Sequence, residues 1–413
     1  MTQHTHPRKK KRPGPPPPAG PPRPSGATGE GPQGNRPSAD SREITARAVR
    51  LVWERMHGGH PPAADVIPHR LPPDLISFAA AKGSLGPLVA ALKYWGLADA
   101  VTKEEMERAR LAVIKTAMAA AAMRSDLALI LDECAKRNIE VVLFKGHDLI
   151  AAYYHDDSIR PVTDADLLVR IPDYRRLSCV LSDAGYRQGG DGYSGAWSRG
   201  GLIIDVHLQF VGDMRNPASS YLPRIESEEI FEGSIRREID GVPYRSPDPR
   251  HSLIITALHA LTHSYLMDYW FMDAGVLLIA NDHPSFADDV VDIAVRHRLF
   301  PALSYHLWAI RDLFGFPGRL PQPGDYRPPR AVERLIRSAV DRTDYLFFGD
   351  VLLGLAIDTA RRKFYYFRKM AFPHPDVIAR ELGVDPRKKA VVYLTRLIHL
   401  VGSGLRVLLA GRR

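Results

Sequence analysis

The residues best suited to chemistry lie in the run Thr163-Asp164-Ala165-Asp166-Leu167-Leu168-Val169. An Asp-x-Asp inside an apolar run reads as a strand with both carboxylates on one face, because strand side chains alternate. A third acid, Asp205, stands in a second strand-like run, Ile203-Ile204-Asp205-Val206-His207. Three carboxylates gathered on a sheet edge repel one another unless a positive charge lies between them, and a divalent cation such as Mg²⁺ supplies it. Upstream stands Phe144-Lys145-Gly146. The order strand, Lys-Gly, helix, Asp-x-Asp strand, lone-Asp strand suits phosphoryl transfer. In such a site two carboxylates bridge a pair of Mg²⁺ ions, and the third completes the shell of the ion that activates the attacking hydroxyl. The other ion neutralises the triphosphate and the leaving pyrophosphate. Gly146 would let backbone approach a phosphate, the helix starting there would offer free N–H groups, and Lys145 would contact the phosphates.

Each residue also has a structural role available to it. Asp164 could bound the strand, and Asp166 could pair with Arg160 or Arg170. Lys145 could be a strand-end surface charge. Arg160 could hold phosphate or brace the carboxylates, lowering their pKa. His207 shares a face with Asp205 and could line the site or pack. The ordered combination of Lys-Gly, Asp-x-Asp and Asp205 favours the metal site over a lone acidic motif. His259 and His263, four residues apart, share a helical face with zinc-compatible spacing. His-Ala-Leu-Thr-His lacks the Glu of a metalloprotease helix, so a buried hydrogen-bonded pair facing Asp273 is the expected arrangement.

The elements that must position these residues follow from periodicity. Residues 1–41, rich in Pro, Gly, Ser, Arg and Lys with Pro15 to Pro18 in a row, cannot bury a core and read as a disordered tail. Residues 42–137 have a helical period, including a long Ala-rich stretch from Glu104 to Arg137. Residues 138–212 change period and form a small mixed-sheet α/β unit. It has a strand at Ile139 to Phe144, a helix at Gly146 to Tyr154, a strand at Thr163 to Arg170, and a helix at Pro172 to Ala184 closed by Gly185. A hairpin follows, Tyr193 to Arg199 and Leu202 to Phe210, turning at Gly200-Gly201. Residues 213–386 are read as a helical region, with helices at Ser252 to Leu266, Tyr269 to Ala280, Ser285 to His297 and Pro301 to Phe314. Residues 387–413 read as a basic amphipathic helix, which would dock on the body or contact RNA or an anionic membrane surface. The predicted class is α+β: a small mixed-sheet core flanked by N- and C-terminal helical regions.

Composition narrows the function classes. Two cysteines exclude a disulfide scaffold and fit a reducing, cytoplasmic compartment. No apolar stretch reaches the length of a transmembrane segment, and the basic N-terminus lacks the apolar core of a secretory signal. The net charge of +9 suggests nucleic acid until it is divided. Residues 1–43 hold eight basic and three acidic residues, and 361–413 hold thirteen and three, so the body between them is mildly acidic. The excess belongs to the ends, where it supports weak anion or nucleic-acid contact and says little about the body. Tyr365, Tyr366 and Phe367 interleave with Arg361, Arg362, Lys363, Arg368 and Lys369, a mixture that suits base stacking or a half-buried helix.

The strings FKGHDLIAAYYHDDSIRPVTDADLLVRIPDYRRLSCVLSDAGY and IDVHLQF resemble the uncharacterised nucleotidyltransferase family of the polymerase-beta superfamily. That family's pattern of Leu-x-Lys-Gly, Arg-Pro-x-x-Asp-x-Asp-Leu-Leu-Val, a helix ending Gly-Tyr, and Asp-x-His is met by Lys145-Gly146, Arg160-Pro161, Asp164, Asp166, Gly185-Tyr186, Asp205 and His207. LHALTHSYLMDYWFMDAGVLL, with His259, His263 and Asp273, resembles its helical region. The resemblance spans roughly residues 70 to 400. It implies metal-dependent transfer of a nucleoside monophosphate from an NTP such as ATP to an acceptor: a small molecule, a protein or peptide side chain, or an RNA end. Asp164, Asp166 and Asp205 would hold two Mg²⁺ ions, with Mn²⁺ as a substitute, and Lys145, Gly146, Arg160 and His207 would contact the nucleotide. The sequence departs from the wider superfamily at His147, where a Ser commonly follows the Gly. The rival readings are a nucleotide- or partner-binding regulatory protein on the same fold and a nucleic-acid-binding protein acting through its basic ends.

Overall fold

The computed structural model describes residues 38–56, 71–189, 195–209, 218–321, 327–343, 348–374, 391 and 393–395. Nearly all of the expected tail and of the expected C-terminal basic helix lies outside these residues. The chain opens with helices α1 (Ala39–Met56), α2 (Leu75–Lys82), α3 (Leu85–Tyr94) and α4 (Lys103–Lys136). Thr102 caps α4 by accepting from the Glu105 amide at 3.3 Å, a side-chain oxygen satisfying a donor with no partner inside the helix. Next come β1 (Val141–Phe144), the short α5 (Gly146–Leu149), a π-helical turn over Ile150–Tyr154, β2 (Ala165–Val169) and α6 (Tyr174–Asp183). β3 (Arg187–Gln188), β4 (Ala196–Arg199), β5 (Leu202–His207), α7 (Ser227–Gly233), β6 (Ile235–Ile239) and β7 (Val242–Ser246) complete the sheet segment. Helices α8 (Pro249–Thr262), α9 (Tyr269–Ala280), α10 (Pro284–Arg296) and α11 (Phe300–Asp312) follow, then α12 (Arg330–Val340), α13 (Gly349–Ala356) and α14 (Ala360–Ala371).

The seven strands form one mixed sheet in the order β3-β4-β5-β2-β1-β7-β6, which gives the expected α+β class. The β4–β5 hairpin turns at Gly200 and Gly201, both at positive φ, a tight turn that matches the twist of its strands. The β6–β7 hairpin extends the sheet beyond the segment 138–212. Its turn is Asp240-Gly241, also at positive φ, flanked by Ile239 and Val242. That Asp-Gly pair between apolar residues was the available signal for it.

Strand alternation gives the sheet two differently covered faces. Val141, Leu143, Ala165, Leu167, Val169, Ile204 and Val206 pack with Met123, Leu127 and Leu131 of α4 and Leu177, Val180 and Leu181 of α6. Val142, Phe144 and Leu168 face the other way, into the larger core built with α1, α8, α9 and α11. Leu167 and Leu168 are both wholly buried on opposite faces, each worth about 1.5–3 kcal/mol of apolar burial. β2 is therefore apolar on both sides except where it carries carboxylates.

The N-terminal helices lock onto α9. Trp53 of α1 lies where a side chain at Gly275 would stand, at 2.3 Å, and its Nε1 donates to the Met272 carbonyl at 3.0 Å. At the end of α2, Lys82 is buried and donates from Nζ to the carbonyls of Ala339 (3.1 Å) and Arg342 (3.3 Å), where α12 ends and its carbonyls attract a cation. The Asp268 amide donates to the Lys82 carbonyl at 2.8 Å, and Ser84 donates to Asp268 Oδ2 at 2.9 Å, so this knot sets the start of α9.

Burial pulls the Lys82 ammonium down to about 8, against the opposing pull of Asp268 and Asp341. Between pH 8 and the ordinary lysine value the unfolded chain keeps a proton that the folded one has lost, so stability rises with pH across that window. The wild type should gain up to about 3 kcal/mol more than Lys82→Met between pH 8 and pH 10.5, measured by urea unfolding at each pH. Equal slopes for the two proteins would refute the assignment.

Candidate active site

β2 and β5 run parallel and in register, pairing Asp166 with Asp205 and Leu168 with His207. Residues paired in this way point to the same side, here the side of the α8–α9 core. One ligand atom from each of Asp166, Asp205 and His207 falls within 4.8 Å of the others, and this is the metal-capable group found among the described residues. Asp164 is not a member of that trio. It precedes β2 and accepts a hydrogen bond from Thr163 Oγ1 at 3.0 Å. Burial raises the Asp164 carboxyl, and the charge of Asp166 raises it further. Burial raises Asp205 as well, and repulsion from Asp166 and Asp164 adds to this against the opposing pull of His207. The three acids therefore sense one another.

Asp166 is the buried member, at 5 % exposure. Its Oδ1 accepts from Lys145 Nζ at 2.7 Å and lies 2.8 Å from His207 Nε2. Burial alone would raise this carboxyl, but Lys145 and His207 outweigh it and hold it well below the ordinary carboxylate range. The competing structural pairings do not form. Arg170 joins Glu140 and Glu228, and Arg160 joins Asp273. Lys145 itself sits at φ 59°, ψ −136° between β1 and α5, a conformation that costs a residue with a Cβ about 1–3 kcal/mol. Phe144 pairs with Asp166 across β1–β2 and supports both basic groups. Its ring lies 4.8 Å from Lys145 Nζ and meets the His207 ring edge-on at 5.1 Å.

Gly146 and Arg160, expected to contact phosphate, lie against each other. A Cβ at Gly146 would meet Val162 Cγ1 at 2.8 Å and Arg160 Nη1 at 2.9 Å. The glycine admits the Arg160 guanidinium and Val162 against the start of α5. Arg160 donates from Nε and Nη2 to both oxygens of Asp273 and from Nη1 to the Pro161 carbonyl at 2.9 Å, with Tyr269 stacked at 4.7 Å. Tyr154, delivered by the π-helical turn, donates to the same Asp273 at 2.8 Å. Asp273 thus serves Arg160 and Tyr154. The rings of His259 and His263 lie 4.5 Å apart and pack against Trp270. Burial holds His259 well below the ordinary histidine value, helped by the charges of Lys145 and His263. His147, 3 % exposed, lies inside the fold. Burial and the charge of Arg160 bring it down to about 3, and its Nε2 has no hydrogen-bond partner among the described residues.

The family model for uncharacterised nucleotidyltransferases matches residues 69–315. The chain belongs to that family. The match takes in both sheet faces, the acidic group and helices α8 to α11, and it closes short of the residue 400 suggested by the sequence resemblance. No curated protein and no solved structure matches the chain. Membership implies an NTP substrate for this nucleotidyltransferase. No helix among the described residues is long and apolar enough to cross a membrane. In α14, Tyr366 is buried and donates to the Asp350 carbonyl, and Tyr365 stacks on Tyr221 at 5.9 Å. Phe367 packs against the large core and against the Tyr366 ring at 5.5 Å, so all three aromatics of the basic stretch make packing contacts.

The Arg160–Asp273 pair, 5 % and 1 % exposed, ties the segment before β2 to α9. Removing one partner leaves the other buried and uncompensated. Arg160→Ala should lower the unfolding free energy by about 3–5 kcal/mol in a denaturant titration. A loss under about 1 kcal/mol, the scale of an exposed ion pair, would show that the pair is not structural.

Proposed function

We propose that the chain transfers a nucleoside monophosphate from an NTP to an acceptor, using Asp164, Asp166, Asp205 and His207 as its metal-binding group and Lys145 as its phosphate contact. The observation that carries this reading is the convergence of Asp166, Asp205 and His207 within 4.8 Å on two parallel strands of a nucleotidyltransferase-family chain. The donor set fits a divalent cation. Two carboxylates and an imidazole meet, and the Asp164 and Asp205 carboxyls, raised first by burial and further by their acidic neighbours, gain from a dication beside them. Mg²⁺, with Mn²⁺ as a substitute and two ions in the fullest version, would neutralise the phosphates and acidify the acceptor hydroxyl.

The chain's own groups do the rest. Lys145 balances phosphate charge beside the acids. The acceptor oxygen bonds to the α-phosphorus, the bond to pyrophosphate breaks, and the acceptor proton passes to Asp205, whose carboxyl is already raised. Arg160, Asp273 and Tyr154 hold the β2 approach against α9 without touching substrate. The His259–His263–Trp270 wall bounds the cleft on the helical side.

The test is pyrophosphate release from labelled NTPs supplied with acceptor pools of small molecules, peptides and RNA ends. Asp166→Asn and Asp205→Asn should each cut release on the order of a thousandfold with the fold retained, and chelation should abolish it. Turnover that survives both substitutions rules out the assignment. A wild type that binds metal and NTP yet never releases pyrophosphate would instead be a nucleotide-binding regulator.

A further inference from the structure

We propose that Lys145 is a built-in counter-ion that holds the cation position at Asp166 until metal and nucleotide arrive together, and then moves onto the phosphates. The inference rests on the metal-nucleotide reading above and adds an order to it: the site resists metal alone. Lys145 Nζ stands 2.7 Å from Asp166 Oδ1, and His207 Nε2 stands 2.8 Å from the same oxygen. A carboxylate oxygen has two lone pairs, so these two contacts fill Oδ1. A divalent cation binds carboxylate oxygens at about 2.0–2.6 Å, which puts it a few ångströms from the ammonium. Two positive charges that close, on a carboxylate only 5 % exposed, repel strongly because little water screens them.

Charge balance bears on a second ion. Asp164, Asp166 and Asp205, ionised, carry three negative charges, and Lys145 cancels one. A single dication balances what remains once it overcomes the nearby ammonium, and a pair of dications leaves the site positive until a triphosphate joins them. The nucleotide supplies both the negative charge that admits a second metal and an alternative partner for Lys145. The backbone supports a dedicated role for this side chain. Lys145 is held at positive φ, a conformation glycine adopts without strain, yet the position carries the one long cation among the described residues that pairs with Asp166.

The experiment is Mn²⁺ binding followed by electron paramagnetic resonance, with and without a non-hydrolysable NTP. Lys145→Met and Lys145→Arg are compared, because both keep a Cβ on the strained backbone and differ in charge. Lys145→Met should bind Mn²⁺ alone about tenfold more tightly than wild type, while Lys145→Arg stays near wild type. In wild type the nucleotide should tighten Mn²⁺ about tenfold or more, and in Lys145→Met that coupling should shrink. Unchanged or weaker Mn²⁺ binding in folded Lys145→Met overturns the inference. So does independent binding of Mn²⁺ and nucleotide in wild type, which needs no variant. If wild type binds neither Mn²⁺ nor Mn²⁺ with nucleotide, the metal-nucleotide reading itself fails. If it binds both and Lys145→Met shows no tightening, only the counter-ion role fails.

Discussion

Two carboxylates held side by side on the core-facing side of a sheet set the terms for everything around them. Asp166 and Asp205 are in register on parallel β2 and β5, so neither can turn away without breaking the ladder or reversing the strand's faces. On the opposite face the same strands bury Ala165, Leu167, Val169, Ile204 and Val206, which fixes the register from behind. The apolar residues between the acids supply the energy that holds like charges together. Burial, with repulsion added, raises the carboxyls of Asp164 and Asp205, while Asp166 is held ionised by Lys145 and His207. The group is compact, polarised and short of positive charge, which is the condition a cation-dependent phosphoryl-transfer site requires.

The helical part of the chain is one side of the site. α8 and α9 cover the face that carries the acids, and their positions are set by contacts far apart in sequence. Trp53 fits against Gly275, Lys82 and Ser84 gather at the start of α9, and Arg160 reaches both oxygens of Asp273. The Arg160 pair joins the loop leading into β2 to the helix that faces it. A shift of α9 would therefore reach the acids through the backbone that carries them. The family match covers sheet and helices together.

Much of this was legible in the chain, and the misses have particular causes. Helices α8 to α11 were read within a few residues, because each has a helical apolar period and Pro or polar breaks at its ends. The Gly200-Gly201 turn was also plain. The β6–β7 hairpin was overlooked although Asp240-Gly241 announces it, since its strands alternate weakly and carry Arg236, Arg237 and Glu238. Arg160 and Gly146 were read as phosphate contacts because their types suit phosphate, and the pairing of Arg160 with Asp273 went unread. Whether a guanidinium meets a phosphate or a buried Asp273, 113 residues away, depends on packing that periodicity does not encode. His259 gave no sign of its nearness to Lys145, because that proximity joins α8 to the end of β1.

The sequence by itself determined the local chemistry: which segments alternate, which carboxylates share a face, where the turns fall, and that Lys145 and three acids occur in an order suited to phosphoryl transfer. These follow from nearest-neighbour geometry, which the strand period of two residues and the turn residues dictate. The tertiary structure decided the partners. It brought His207 into the acidic group through the β2–β5 register, placed the Lys145 ammonium on Asp166, gave Arg160 to Asp273, and buried His147. Each of those choices depends on which distant surface covers a charge and removes its water, and only the folded chain specifies that.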